Sequence, residues 1–154
     1  VASKRKPTTS GIVDKTKQPG ISFDKIILVK EAMQRQQVVP KQLTIALNMD
    51  MATHKVNESK QWIAELNCKL KLFPPEGGDP AFELECVFVA VFSPLEGEEN
   101  MPIEFFVESN AAALMFPFVR EHVSTITQKA GLRPVLLPPI NVAALIQKGK
   151  QEKE

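Results

Sequence analysis

Apolar residues fall on alternate positions along two long stretches of the chain. Leu43, Ile45, Leu47, Met49 and Met51 alternate with Thr44, Asn48 and Asp50, and Trp62, Ala64, Leu66, Cys68, Leu70 and Leu72 alternate with Glu65, Asn67, Lys69 and Lys71. A period of two over this length predicts half-buried strands of an antiparallel sheet. A further strand is expected from Phe82 to Phe92. Its first half alternates, but Val87-Phe88-Val89-Ala90-Val91-Phe92 is apolar on both faces. A strand end of that kind calls for a second covering layer, here expected to be another subunit. Ahead of these, Phe23, Ile26, Ile27, Leu28 and Val29 follow the breaker Pro19-Gly20 and predict a first strand over about 22–35. The tail of that strand, Lys30 to Gln36, is equally compatible with a helix. Asn57-Glu58-Ser59 makes a turn, and Pro74 to Pro80 is a loop by composition. A hairpin centred on Gly77 sets Cys68 directly opposite Cys86, as neighbouring buried thiols.

After the acidic loop Pro94 to Pro102 the period changes. Ile103 to Glu108 suits a helical turn or more. Ser109 and Asn110 offer N-cap oxygens to a long helix built on Ala111, Ala112 and Ala113, with Val119, Val123 and Ile126 at helical spacing. Pro117 lacks an amide hydrogen, so a kink or restart is expected there. Gly131 ends the helix behind Lys129. Leu136-Leu137-Pro138-Pro139 cannot be helical and is expected to lie as an extended apolar strip, after which Asn141 caps a short final helix from Val142 to about Gln147. Strands in succession followed by helices predict an α+β fold: a four-stranded antiparallel sheet, a long helix and a short C-terminal helix.

Composition changes this picture only at the ends. Residues 1–20 hold Lys4, Arg5, Lys6, Lys15 and Lys17 against Asp14 alone, a net +4, which leaves −3 for the rest of a chain whose total is +1. This basic, Thr-, Ser- and Pro-rich leader reads as disordered, residues 21–147 as one domain, and 148–154 as a charged tail. A solvated tail is the expectation for Lys4-Arg5-Lys6, with no nucleic-acid partner and no membrane insertion. No secretory signal is evident, and two cysteines then point to free thiols in the cytoplasm.

Candidate chemistry is sparse. His54, His122, Cys68 and Cys86 lack the spacing of a metal site. Gly77-Gly78 is not followed by the Lys-Ser/Thr helix of a phosphate loop. Glu83 and Glu85 share a strand face without an evident base or pocket. No enzyme, metal or cofactor is expected. What remains is apolar surface beyond what one layer of helices covers, and such surface implies a partner.

Phe116-Pro117-Phe118-Val119-Arg120-Glu121, then Gly131, then Leu136 with Pro139-Ile140-Asn141, then Ala144-Leu145, resembles in order and spacing the C-terminal half of the SecB-type protein-export chaperones, over roughly residues 110–146. The resemblance implies an ATP-independent holdase, assembled as a homotetramer (a dimer of dimers) with its helices between two larger sheets. Its partners would be unfolded or precursor polypeptides, with delivery to the translocase motor protein SecA. It also leaves room for a SecB-like chaperone dedicated to one labile client such as an antitoxin; a structural oligomer is the remaining alternative. The client groove is expected across Leu43, Ile45 and Leu47 of the second strand, Ile126 of the long helix, and Leu132, Val135, Leu136 and Leu137 of the strip. Lys30-Glu31 and Glu85 match the family's acidic docking surface for the motor, whereas Glu83 stands where a Leu is usual and Arg35 where an acidic residue is expected. The connection Gln36 to Lys41 is shorter than the family's crossover loop.

Overall fold

The computed structural model describes residues 17–139 together with Asn141, Val142, Ala144 and Ile146. Four strands form one antiparallel sheet: β1 (Ile21–Arg35), β2 (Thr44–Lys55), β3 (Trp62–Phe73) and β4 (Phe82–Pro94). One helix follows, α1 (Ile103–Lys129). The expected α+β fold is therefore present. The leader up to residue 16, the tail from 148 and half of the expected final helix (143, 145 and 147) lie outside the described residues.

The spatial order is β1-β4-β3-β2, a Greek key in which β2 to β4 meander and β1 returns to pair with β4. The short connection after Arg35 therefore crosses one end of the sheet, over the start of β4 and the end of β3. Gln36 donates to the Ala81 carbonyl there, and Ala81 to that of Leu72. The β3–β4 hairpin has the register its sequence predicts, with Trp62 opposite Phe92, Leu72 opposite Phe82, and Cys68 opposite Cys86. The tail of β1 is strand, not helix, out to Arg35. It is fixed by pairing with the whole length of β4, at the cost of two register shifts that set Asp24 and Val29 outside the alternation.

The even-numbered residues of β3 and β4 share one face, and α1 lies across it. Leu66, Leu70, Leu72, Phe82 and Phe92 are buried there against Val107, Ala111, Met115, Val119 and Val123. Burying each such side chain contributes on the order of 2 kcal/mol. The helix does not begin at Ser109 or Asn110. Its N-cap is Pro102, whose fixed φ and missing N–H suit a helix start, and both expected caps sit inside the helix, where Asn110 donates to the Phe106 carbonyl. Pro117 lies within a single assigned helix of 27 residues.

The doubly apolar end of β4 is explained in part by its place in the sheet. On the face away from α1, Val87, Val89 and Val91 stand between residues of both neighbouring strands: Lys30, Ile27 and Lys25 on β1, and Asn67, Glu65 and Ile63 on β3. Val87 and Val91 are buried by these cross-strand side chains within one chain. Val89 is only half-buried and Ile27 beside it is 47% exposed, so this part of the face is not covered within the chain.

Candidate functional site

Helix α1 covers β3 and β4 and barely reaches β2. The helix-side face of β2 is therefore wider than its cover. Ile45 is 47% exposed, and Leu43, Leu47 and Met51 are half-buried at the margin of the core. The strip after the helix is held by Thr127, a buried polar side chain. Its hydroxyl donates back to the Val123 carbonyl and accepts from the Val135 N–H at 2.9 Å, while Leu132 N–H bonds the Thr127 carbonyl. One threonine thus satisfies the first backbone donors of a segment that has neither helix nor sheet to do so. The turn into the strip passes through Gly131 at φ +82, a conformation costly for other residues.

The strip is extended, as expected, but its leucines divide. Leu136 is 67% exposed, whereas Leu137 is 1% exposed and belongs to the core together with Ile126, Val142 and Ile146. Leu137 and Ile126 are therefore not open to a ligand in this chain. Alternation along an extended segment turns neighbours to opposite sides, and Leu132 and Val135 lie half-buried between the two. Between Leu136, Pro139 and the back of the helix at Phe116, Pro117, Arg120 and Ser124 runs an open groove of about 520 Å³. Elsewhere along its length the helix exposes Phe105, Leu114 and Phe118. The structure thus brings Leu43, Ile45 and Leu47 together on one margin and Leu136 onto the helix-back groove.

The two glutamates expected to share a docking surface point to opposite faces. Glu31 stands opposite Cys86 on the helix side, 3.0 Å from His122 Nε2, and the imidazole packs edge-on against Phe88. Glu85 stands opposite Ala32 on the far face, with Lys30 Nζ at 3.1 Å; that ammonium holds the Glu85 carboxyl below its ordinary range. Lys71 and Glu83 make a second ion pair on the far face, at 3.6 Å. One-residue offsets reverse the face in a strand, and the register shift at Val29 decides which side Glu31 takes.

Arg35, which looked in sequence like a lost acid, faces the helix and clamps its end. Its guanidinium donates to the carbonyls of Gln36, Gln37 and Ala130, tying β1 and the crossover to the C-terminus of α1. Periodicity gave no sign of this role. A cation at a helix C-terminus also favours the negative end of the dipole. Cys68 and Cys86 are both free and buried. The Cys86 sulfur beside it, with burial, pushes the Cys68 thiol up, so it stays protonated. Among the described residues no group of His, Cys, Asp and Glu is placed to hold a metal ion, and no helix is long and apolar enough to cross a membrane.

Several known proteins are similar to this chain in sequence or fold. An uncharacterized protein of Methanocaldococcus jannaschii is 49% identical over 49 residues, which is 32% of each chain. The protein-export protein SecB of Desulfotalea psychrophila is 28% identical over 113 residues, covering 71% of this chain and 69% of that one. Among solved structures, a SecB-like chaperone of Mycobacterium tuberculosis in complex with a ChAD peptide from the HigA1 antitoxin has the same fold. Its TM-score is 0.69 at 15% identity, over 79% of this chain and 91% of that one. The family model for the preprotein translocase subunit SecB matches residues 7–153, nearly the whole sequence, and the chain belongs to the SecB family.

Proposed function

We propose that this chain is an ATP-independent holdase that binds unfolded or precursor polypeptides in the cytoplasm through apolar surface at the rim of its helix–sheet core. The observation that carries this is the mismatch between sheet and cover: Ile45, Leu43 and Leu47 project past α1, and Leu136 is exposed across the helix-back groove. Several shallow apolar subsites, each contributing about 2 kcal/mol when filled, give useful affinity without sequence specificity. Family membership supports the reading. The assembly is a homotetramer built as a dimer of dimers.

Delivery of clients to the motor protein SecA is the family-level destination. A second reading, a chaperone dedicated to a narrow client, is favoured by the far face of the sheet. There Glu83 and Glu85 are paired with Lys71 and Lys30, and Glu31 turns to the other side, so no concentrated negative patch forms from these residues. The Mycobacterium tuberculosis relative, solved with an antitoxin peptide, lends this reading support.

Light scattering of a thermally aggregating client tests the proposal. Stoichiometric protein without nucleotide should suppress the signal; undiminished aggregation at a fourfold excess would end the holdase reading. Calorimetric titration with SecA separates the two destinations, since a dedicated chaperone gives no binding heat.

A further inference from the structure

Four side chains stand in one row across the helix-side face of the sheet. Glu31 on β1 pairs with Cys86 on β4, Cys86 with Cys68 on β3, and Cys68 with Met49 on β2. The row holds both cysteines of the chain. Both are buried and free, and the two thiols are in hydrogen-bond contact. Packing alone asks only for small apolar groups at such a place, as Ala64 and Ala90 supply at another opposed pair of the same hairpin.

Directly opposed residues of an antiparallel pair have Cα atoms about 4.5–5.5 Å apart, within the span of about 4.4–6.8 Å that a disulfide bridges. β3 and β4 pair without a register shift from Trp62–Phe92 to Leu72–Phe82, so the strands already hold the two sulfurs side by side. The two ends of the row differ. Cys86 lies next to Glu31 on the edge strand, whose side chain is 33% exposed and 3.0 Å from His122 Nε2. Cys68 lies next to Met49, which is buried. A reagent entering from the β1 edge therefore meets Cys86 first. The contact between the thiols acts in the same direction: the Cys68 S–H donates to Cys86 and favours its thiolate, against the opposing effects of burial and the Glu31 carboxylate.

We propose that Cys86 and Cys68 form a reversible dithiol–disulfide switch, in which Cys86 attacks a small-molecule disulfide, Cys68 resolves, and the bond formed ties β3 to β4. The Cys86 thiolate attacks one sulfur of the small disulfide, whose S–S bond breaks and releases one thiol. The Cys68 sulfur then attacks the mixed disulfide at Cys86, forming the cross-strand bond and releasing the second thiol. The protein gives up two electrons and two protons, and the small disulfide takes both and leaves as two thiols. Because both sulfurs are buried, the reaction runs through local opening at the β1 edge. The bond restricts the unfolded chain far more than the folded one, so oxidation stabilises the fold. The inference goes beyond the holdase reading and does not depend on it.

The test uses the full chain and oxidised glutathione, held just below the melting midpoint. Intact mass should fall by two hydrogens with no glutathione retained, and proteolysis without reductant should give one pair of peptides joined through Cys68 and Cys86. The melting midpoint should rise by about 5–10 °C and return with dithiothreitol. Cys68→Ala should stop at a mixed disulfide on Cys86, whereas Cys86→Ala should take up glutathione about tenfold more slowly. Glutathione retained on the parent chain, a disulfide between two chains, or an oxidised form that melts no higher would overturn the switch. Equal rates for the two variants would overturn the order of attack. Should either variant fail to fold, the order is read on the parent chain, from the cysteine that carries glutathione in samples quenched with acid at early times.

Discussion

Single side chains decide more here than the alternating pattern suggests. Arg35 bonds three carbonyls in two segments, the crossover and the end of α1, so Arg35→Ala should lower stability by about 2 kcal/mol, the scale of charged hydrogen bonds lost at a partly exposed site. A urea titration measures this, and Arg35→Lys should recover little, since an ammonium lacks the planar fork. Leu136 and Leu137 separate binding from folding. Leu137→Glu would bury an unpaired charge and should cost several kcal/mol of stability. Leu136→Glu should leave melting within a degree or two and weaken client binding; unchanged binding would remove the helix-back groove from the site. The sequence allowed an apolar strip here but not the side each leucine takes, because an irregular segment has no partner strand to fix its phase. The Cys68–Cys86 pair, by contrast, was legible, since a hairpin without register shifts carries its pairing the length of both strands.

At the scale of elements, alternation located β2, β3 and the first half of β4, β-prone residues after a breaker located β1, and the change of period located the helix. The order β1-β4-β3-β2 was not legible, because a short crossover says which end of the sheet it passes and not which edge it reaches. The faces of β1 were hidden for the same kind of reason: two register shifts break its period, so Glu31 and Glu85 looked like neighbours on one surface and are not. The helix start was misplaced because Ser109 and Asn110 are good caps in isolation, while the packing of Val107 on the sheet extends the helix back to Ile103. Pro117 is the remaining conflict between propensity and packing. Flanked by buried Phe116 and Val119, it sits where an alanine would restore an N–H toward the Ala113 carbonyl. Pro117→Ala should therefore stabilise the chain by about 1–3 kcal/mol in thermal or chemical unfolding. A loss of stability would mean that the proline's geometry is what seats Phe116 and Phe118.

For the whole molecule, the question is what covers the back of the helix. In this chain α1 buries one face against the sheet and leaves Phe105, Leu114 and Phe118 exposed on the rest of its surface. Phe118 packs its ring at a tilt against Phe23, 6.2 Å between centroids, and is still 43% exposed. Large apolar side chains clustered on one element usually mark an interface, and the SecB-type assembly expected from sequence places helices between two sheets. The far face of the sheet is a poorer candidate, since Lys30–Glu85 and Lys71–Glu83 pair across it and Val87 and Val91 are already buried. If helix backs meet across the tetramer, Leu114→Glu places a carboxylate in that contact while costing the isolated fold little, because the leucine is already 41% exposed. Sedimentation at micromolar concentration should then show the mass of four chains for the parent and of two for the variant, with melting of the remaining dimer still cooperative. A parent that sediments as one chain would remove the tetramer altogether. A variant that stays at four chains would move the interface off the helix back and onto the edge of β1, where Ile27, Leu28, Val29 and Met33 are the next largest exposed apolar group.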